Sequence, residues 1–432
     1  MVESKGMKKF ICFVWLSLLT AGSLHAVNPA LPSIPTNVFL VTQFGAIGDN
    51  SKDNTASIQK AILTASAVGG GVVEFPAGNY LSGPITLFSR INLRLDEGAV
   101  LRMLPLDTYP GGRTNASTFI GADGATDLEI SGRGTIDGQG AAWWEVQRSG
   151  SPIVRPMMLN LYSCKRLFIH DVTFTSPPNH HCGLRKDGGD ITISNLTVNT
   201  DPGSPNTDGL NLVGTNVLVC DCHISDGDDN IAMGSTGVLR DALITNCVFG
   251  YGHGVSLGSG VRDGVSNVVV ANCTFNGGAF GFRFKADNSS GGVVQNLFYH
   301  DIIMTNVQMP FLIYSYYRLA GSGGKIIRFT PKQIAAMRAE PVTTTTPVWR
   351  NITFSNITAY ATVAGGTIWG EPNMPVSNVN FVNVHLTAPG GFNIYNARGI
   401  HFQNCRINLG NGKKFTTYNA DVTTANTEFK EN

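Results

Sequence analysis

The chain has 432 residues, 50 of them glycine, with only 14% charged residues and a net charge of +1. It is long for one ordinary core, rich in glycine against a usual ~7% and poor in charge against a usual ~25%. The balanced charge, with no basic stripe, excludes a nucleic-acid partner, which needs cations to neutralise phosphates.

The N-terminus reads as an export signal over residues 1–26. Lys8 and Lys9 precede a short apolar run from Ile11 to Leu19, and small residues at Ala21-Gly22-Ser23 and Ala26 suit cleavage. The run is too short for a membrane span and no second one follows. The mature chain, 27–432, is therefore expected to be one secreted or periplasmic domain without a span. Cys12 leaves with the signal, and the odd set of seven cysteines that remains rules out a fully paired disulfide framework.

Asp53-Asn54 followed by Ile58, Ile62 and Leu63 predicts a capped amphipathic helix that closes the N-terminal end of a core. Strands follow at Val72 to Phe75 and Ile91 to Arg94, so a solenoid is expected to begin by residue 70. From Phe168 onward one pattern recurs: alternating apolar residues, an Asn or Asp, then another short apolar run. The Asn/Asp positions are Asp171, Asn195, Asp221, Asn246, Asn272, Asp301, Asn356, Asn383 and Asn404, spaced by 24, 26, 25, 26, 29, 55, 27 and 21 residues. Alternation by two means strands, and a period in the twenties leaves room for one coil of a β-helix. The fold class is thus all-β, a single-stranded parallel β-solenoid.

Asn suits the bend between strands, because it tolerates the left-handed conformation. Cys222, Cys247, Cys273 and Cys405 each follow the bend residue and should stack inside as buried thiols. The gap of 55 residues is expected to hold a long loop leaving one coil, with Gly-rich 321–324 and a short helix from Pro331 to Arg338. The polar tail after Leu409 reads as a cap or a frayed end.

Residues one period apart lie above one another in such a stack. Four clusters occur in succession: Asn206-Thr207-Asp208-Gly209, Asp226-Gly227-Asp228-Asp229, Gly252-His253-Gly254 and Arg283-Phe284-Lys285. The steps from Asp208 to Asp229, to His253 and to Arg283 are 21, 24 and 30 residues, near the repeat. Successive coils should therefore gather three carboxylates, an imidazole and two cations on one face. Carboxylates held close raise one another's proton affinity, which equips such a patch for glycosidic-bond cleavage. Arg283 and Lys285 share one face of a strand and suit an anionic group such as a uronate carboxylate. A calcium site is the competing reading of the aspartates, since hard oxygen ligands also bind that ion.

These clusters resemble those of glycoside hydrolase family 28, the polygalacturonases and their relatives. The resemblance covers about residues 40 to 405. It includes Phe44-Gly45-Ala46-Ile47-Gly48-Asp49, Gly132-Arg133-Gly134-Thr135-Ile136-Asp137-Gly138, Gly252 through Ser259, Pro310-Phe311-Leu312-Ile313 and Tyr316-Tyr317, besides the aspartate and cation clusters. It implies a right-handed parallel β-helix acting as a monomer on pectic polysaccharide or oligogalacturonide. It implies hydrolysis of α-1,4-galacturonosyl bonds with inversion, without metal or other cofactor. By motif match Asp228 is the general acid, Asp208 and Asp229 hold and deprotonate the water, and His253 tunes the acid. Asn206, Arg283, Lys285 and Tyr317 match substrate-binding positions. Many members carry Cys after the paired aspartates, in a local disulfide, where this chain has Asn230. His180 and His181 read equally well as groove residues or as part of a turn.

Overall fold

The computed structural model describes residues 27–320, 329–410 and 413–431. The expected export segment, 1–26, and the Gly-rich 321–324 lie outside the described residues. Strands pair in parallel from coil to coil, three strands to a coil, in one right-handed β-helix. One turn of the stack shows the plan. Ile231–Met233 leads into Leu239–Thr245, then Val248–Phe249, and the chain returns at Val255–Leu257 beside its starting strand.

Alternation of side chains sends one set inward. Val268, Val270, Ile352, Phe354, Val379 and Phe381 are buried while their neighbours point out. Tyr299, Phe354, Phe381 and Phe402 stand one per coil as a continuous stack, with centroids 5.2, 5.2 and 4.5 Å apart. The expected bends are all left-handed: φ at the nine Asn/Asp positions lies between 50° and 64°. A second left-handed column, Asn216, Asp241, Asn267, Asn296, Asn351 and Asn378, marks the preceding corner. Its amides bond upward from coil to coil, Asn378 to Asn351 at 2.9 Å, Asn351 to Asn296 at 3.1 Å and Asn296 to Asn267 at 3.2 Å. Each rung thus satisfies polar groups that the bend would otherwise leave unpaired.

Cys222, Cys247, Cys273 and Cys405 are buried thiols, as expected. Each Sγ donates to the carbonyl two residues back, at 3.1 to 3.3 Å.

The helix α1 spans Thr55–Ala67 and covers the first coil with Ile58, Ala61, Ile62 and Ala65. Leu63 is not part of that face; it is half exposed, since it falls off the apolar stripe. Asn54 occupies the N-cap position but spends its amide on Ile47, while Asp53 accepts from the backbone of Thr55 at 2.9 Å. The solenoid starts well before residue 70, because Val38–Leu40 already pairs with Gly71–Phe75. At the other end the polar tail is a full final coil: Phe415–Ala425 pairs with the strand before it, and Glu428–Glu431 pairs with Arg406–Leu409.

The site face is one sheet. Its strands are β1 (Cys182–Arg185), β2 (Leu210–Leu212), β3 (Ile231–Met233), β4 (Val255–Leu257), β5 (Phe280–Lys285), β6 (Met309–Tyr314) and β7 (Ala364–Trp369). They pair in that order. The long connection after β6 carries helix α2 (Pro331–Ala335), shorter than the expected Pro331 to Arg338. Thr330 and Gln333 close its N-terminus as a capping box. Ile334, Phe329 and Met337 pack on Trp369 and Tyr395, so this segment roofs the outer face of the later coils.

Candidate functional site

All eight sequence-expected residues meet on the site face, around the ends of β2 to β5. Asp208 precedes β2, Asp228 and Asp229 precede β3, His253 precedes β4, and Arg283 and Lys285 project from β5. The loops that deliver them are stiffened from beneath. His181 is fully buried; its Nδ1 meets the carbonyl of Asp208 at 3.0 Å and its Nε2 meets Thr200 at 2.7 Å. Burial pushes the His181 imidazole down to about 4, so it is a neutral strut and not a groove residue. Thr207 accepts from the backbone of Gly227 at 3.0 Å, tying the two aspartate loops together.

Asn230, directly after the paired aspartates, ties its loop together by hydrogen bonds. Its amide donates to Tyr251 O at 2.9 Å and to Asp226 at 3.2 Å, and accepts from Gly254 N at 3.0 Å. Gly254 itself must be glycine, since at φ 76° a Cβ would sit 2.3 Å from the carbonyl oxygens of Phe280 and Gly281.

The two adjacent aspartates have different partners. Asp229 is enclosed: Lys285 Nζ donates to Oδ2 at 2.6 Å, Ser256 to Oδ1 at 2.6 Å, and Arg283 Nη1 stands 3.6 Å from Oδ1. Asp228 faces the groove, with His253 Nδ1 2.8 Å from Oδ1 and Asn206 donating to Oδ2 at 3.2 Å. Arg283 also approaches His253 Nδ1, at 3.4 Å. That nitrogen cannot accept from Arg283 and donate to Asp228 together, and the shorter contact assigns it a proton directed at the carboxylate.

Burial pushes the Asp228 carboxyl up, but the His253 hydrogen bond and the charges of His253, Lys285 and Arg283 outweigh it. The net position is well below the usual carboxylate range. Asp208 moves the other way: burial raises it, Asp228 and Asp229 add to that, and His180 opposes. His180 Nδ1 lies 3.3 Å from Asp208 Oδ2, and Asn211 donates to the same oxygen at 3.3 Å.

Arg283 and Lys285 are buried and turned onto Asp229, not held free above the groove. Tyr317 lies over both, its ring 5.7 Å from the guanidinium and 5.5 Å from the ammonium. Arg283 Nη2 reaches the hydroxyl of Tyr314 at 3.4 Å. Beside Tyr317 a cavity of about 270 Å³ opens between Ser235, Ser259, Arg262 and Asp287.

Ligand atoms of Asp228, Asp229 and His253 fall within 4.8 Å of one another, the spacing a metal would need. Yet every oxygen of the pair already receives a donor, and two of the donors are the fixed cations Lys285 and Arg283. A hard divalent ion wants free, anionic oxygens, so this donor set does not fit calcium.

His180, Asn211 and Tyr314 complete the site without belonging to any motif, together with Ser256, which lies in the Gly252 to Ser259 string but carries no role by motif match. Register is the signal that exposes them. Asn211, Ala232, Ser256 and Arg283 are successive partners in one outward column.

A parallel β-helix with paired carboxylates, an imidazole and buried cations on one face defines a β-helical glycosidase. The family model for glycosyl hydrolases family 28 matches residues 72–406, and the chain belongs to that family. Residues 38–98 also match a model described as rhamnogalacturonase A/epimerase, pectate lyase-like. An endo-polygalacturonase of Pectobacterium carotovorum subsp. carotovorum is 29% identical over 80% of this chain and 87% of its own length. The polygalacturonase structure from Erwinia carotovora ssp. carotovora superposes with a TM-score of 0.71 at 27% identity, over 86% of this chain and 98% of that one. The exopolygalacturonase structure from Thermotoga maritima, at 20% identity, shares the fold with a TM-score of 0.72 over 93% and 94% of the two chains.

Proposed function

We propose that the chain is an inverting polygalacturonase-type hydrolase that cleaves α-1,4-galacturonosyl bonds of pectin. The observation that carries this reading is the gathering of Asp208, Asp228, Asp229, His253, Arg283 and Lys285 from successive coils onto one face, with Asp228 bonded to His253, Asp229 bonded to Lys285 and Asp208 held by His180. Asp228 serves as general acid toward the leaving oxygen. Asp208 and Asp229 hold and deprotonate the attacking water. Asn206 orients Asp228, and Tyr317 covers the sugar bound beside Arg283 and Lys285.

A general acid needs a proton, and in the free protein Asp228 lacks one. The proton of the pair sits on His253 Nδ1, 2.8 Å away. A uronate carboxylate arriving beside Arg283 and Lys285 offsets the positive field that holds Asp228 down. The proton then shifts toward Asp228, where the leaving oxygen can take it. Inversion usually places the two carboxyls roughly 6.5–9.5 Å apart. Asp228 and Asp229 approach more closely than that, within 4.8 Å, so the stereochemical outcome rests on the family resemblance.

Incubation with polygalacturonate should release new reducing ends, and Asp228→Asn should lower the rate by about 10²–10⁴-fold. Proton NMR of the first product should show the β-anomer. No release by the wild type, or equal release by the variant, sinks the proposal. We further infer that residues 1–26 direct export and are removed, and that the mature chain acts outside the cytoplasm as a monomer. Among the described residues no helix is long and apolar enough to cross a membrane.

A further inference from the structure

Arg185 ends β1, two coils before the strand that Asp228 and Asp229 precede. Its guanidinium folds back over Gly183: Nε and Nη2 lie 3.3 and 3.6 Å from the point a Cβ there would occupy. Gly183 pairs with Asn211 and so belongs to the outward column that continues through Ala232 and Ser256 to Arg283. The absence of a side chain at Gly183 leaves room that the Met157 methyl, 2.3 Å from that point, shares with the Arg185 guanidinium on the same outward column.

The partners of this cation are poor. Nη2 donates to Met157 Sδ at 3.3 Å, a weak thioether acceptor. No carboxylate of the described residues forms an ion pair with it. Arg155 nearby contrasts sharply, because it is committed to Pro178 O at 3.0 Å, Pro205 O at 2.5 Å and Asn206 at 2.7 Å. A partly buried guanidinium with most of its five donors unused bears a desolvation cost that a planar anion would offset.

Position gives this cation a role. The strand of Arg283 lies two coils beyond the one that Asp228 and Asp229 precede, and the strand of Arg185 lies two coils before it, each a strand offset of about 10 Å along the stack. Resting on the polygalacturonase reading, we propose that Arg185 is a second carboxylate-binding residue, which grips a uronate on the opposite side of the cut from Arg283 and Lys285. A bidentate pairing with a free carboxylate would make the enzyme require unesterified uronates on both flanks of the cleaved bond. A methyl ester at that sugar removes the charge and leaves Arg185 buried against an uncharged group.

The test compares wild type, Arg185→Gln and Arg185→Lys on polygalacturonate and on pectin of high methyl esterification. A lost charge-assisted contact should raise KM on polygalacturonate roughly 10- to 100-fold, with kcat little changed, in Arg185→Gln. KM on the esterified substrate should rise far less, and Arg185→Lys should recover much of the loss. The Lys variant keeps the charge and guards against a folding failure in Arg185→Gln. An unchanged KM on polygalacturonate overturns the proposal. So does an equal rise on both substrates, which would mark lost packing, or a fall in kcat alone, which would mark an effect through Asp208. If any of these occurs while the wild type still cuts polygalacturonate, Arg185 is dismissed and the polygalacturonase reading stands; a wild type inert on polygalacturonate dismisses both.

Discussion

At the scale of single residues, the site separates charge by adjacency. Asp229 spends its oxygens on Lys285, Ser256 and Arg283 inside the wall, whereas Asp228, its neighbour in the chain, turns to His253 and Asn206 at the groove. His253 thus acts as the custodian of a proton that Asp228 must deliver. Gln at 253 can hold a hydrogen bond but not a mobile proton, and it carries no charge to depress Asp228. The carboxyl of Asp228 should rise toward its ordinary range and become the sole proton carrier. Activity requires that carboxyl to be protonated, so it is lost as pH rises through the carboxyl's own pKa. The alkaline limb of the kcat/KM profile should therefore move to lower pH in His253→Gln, with kcat down about 100-fold. An alkaline limb that stays in place would remove His253 from the proton path.

The same scale shows why some residues could be read in the sequence and others could not. Asp208, Asp228, Asp229, His253, Arg283 and Lys285 sit in unusual strings separated by nearly one period, so spacing alone gathers them. Asn211 and Arg185 are single polar residues inside short strands, and nothing local distinguishes them from solvated positions, while Ser256 lies in the Gly252 to Ser259 string without standing out from its neighbours. Only the pairing of Gly183 with Asn211 and of Ser256 with Arg283 gives them a place. His180 and His181 are adjacent and chemically identical, yet one faces Asp208 and the other braces its backbone. Which is which depends on the alternation of a strand whose phase the sequence leaves open.

At the scale of elements, the recurring Asn/Asp bends were legible because the left-handed conformation restricts residue choice. The last coil was not, since Phe415–Ala425 is largely exposed and lacks the buried alternation that marks the other strands. Within the stack each strand depends mainly on its two neighbours. Phe381 contacts Phe354 and Phe402 above and below, with Phe311 and Phe392 edge-on at 5.1 and 5.6 Å. Phe381→Ala opens a cavity shared by three coils, and should cost about 3–5 kcal/mol. Urea unfolding followed by circular dichroism would measure this. A loss under about 1 kcal/mol would mean that the aromatic column is not a principal source of cohesion.

At the scale of the molecule, export and oligomeric state are open to direct measurement. N-terminal sequencing of protein recovered outside the cytoplasm should begin at or near residue 27, and sedimentation should give a single species near the monomer mass. A retained leader or a stable dimer would contradict the reading. The roof formed by Phe329, Ile334 and Met337 covers the face over β7, against Trp369 and Tyr395.

The coil spacing makes that face a graduated scale, with a division of about 4.8 Å. Arg185, the paired aspartates and Arg283 stand at the first, third and fifth marks. Point substitutions can change what is read at each mark but not the distance between marks. Duplicating or deleting a coil between those marks would change the interval by one division, but it would also remove or displace Asp208, Asp229, His253 or Lys285, since each of these coils carries a part of the site. The marks from Arg185 to Arg283 are therefore a fixed gauge, and only coils outside them can be added or lost with every catalytic side chain left as it was.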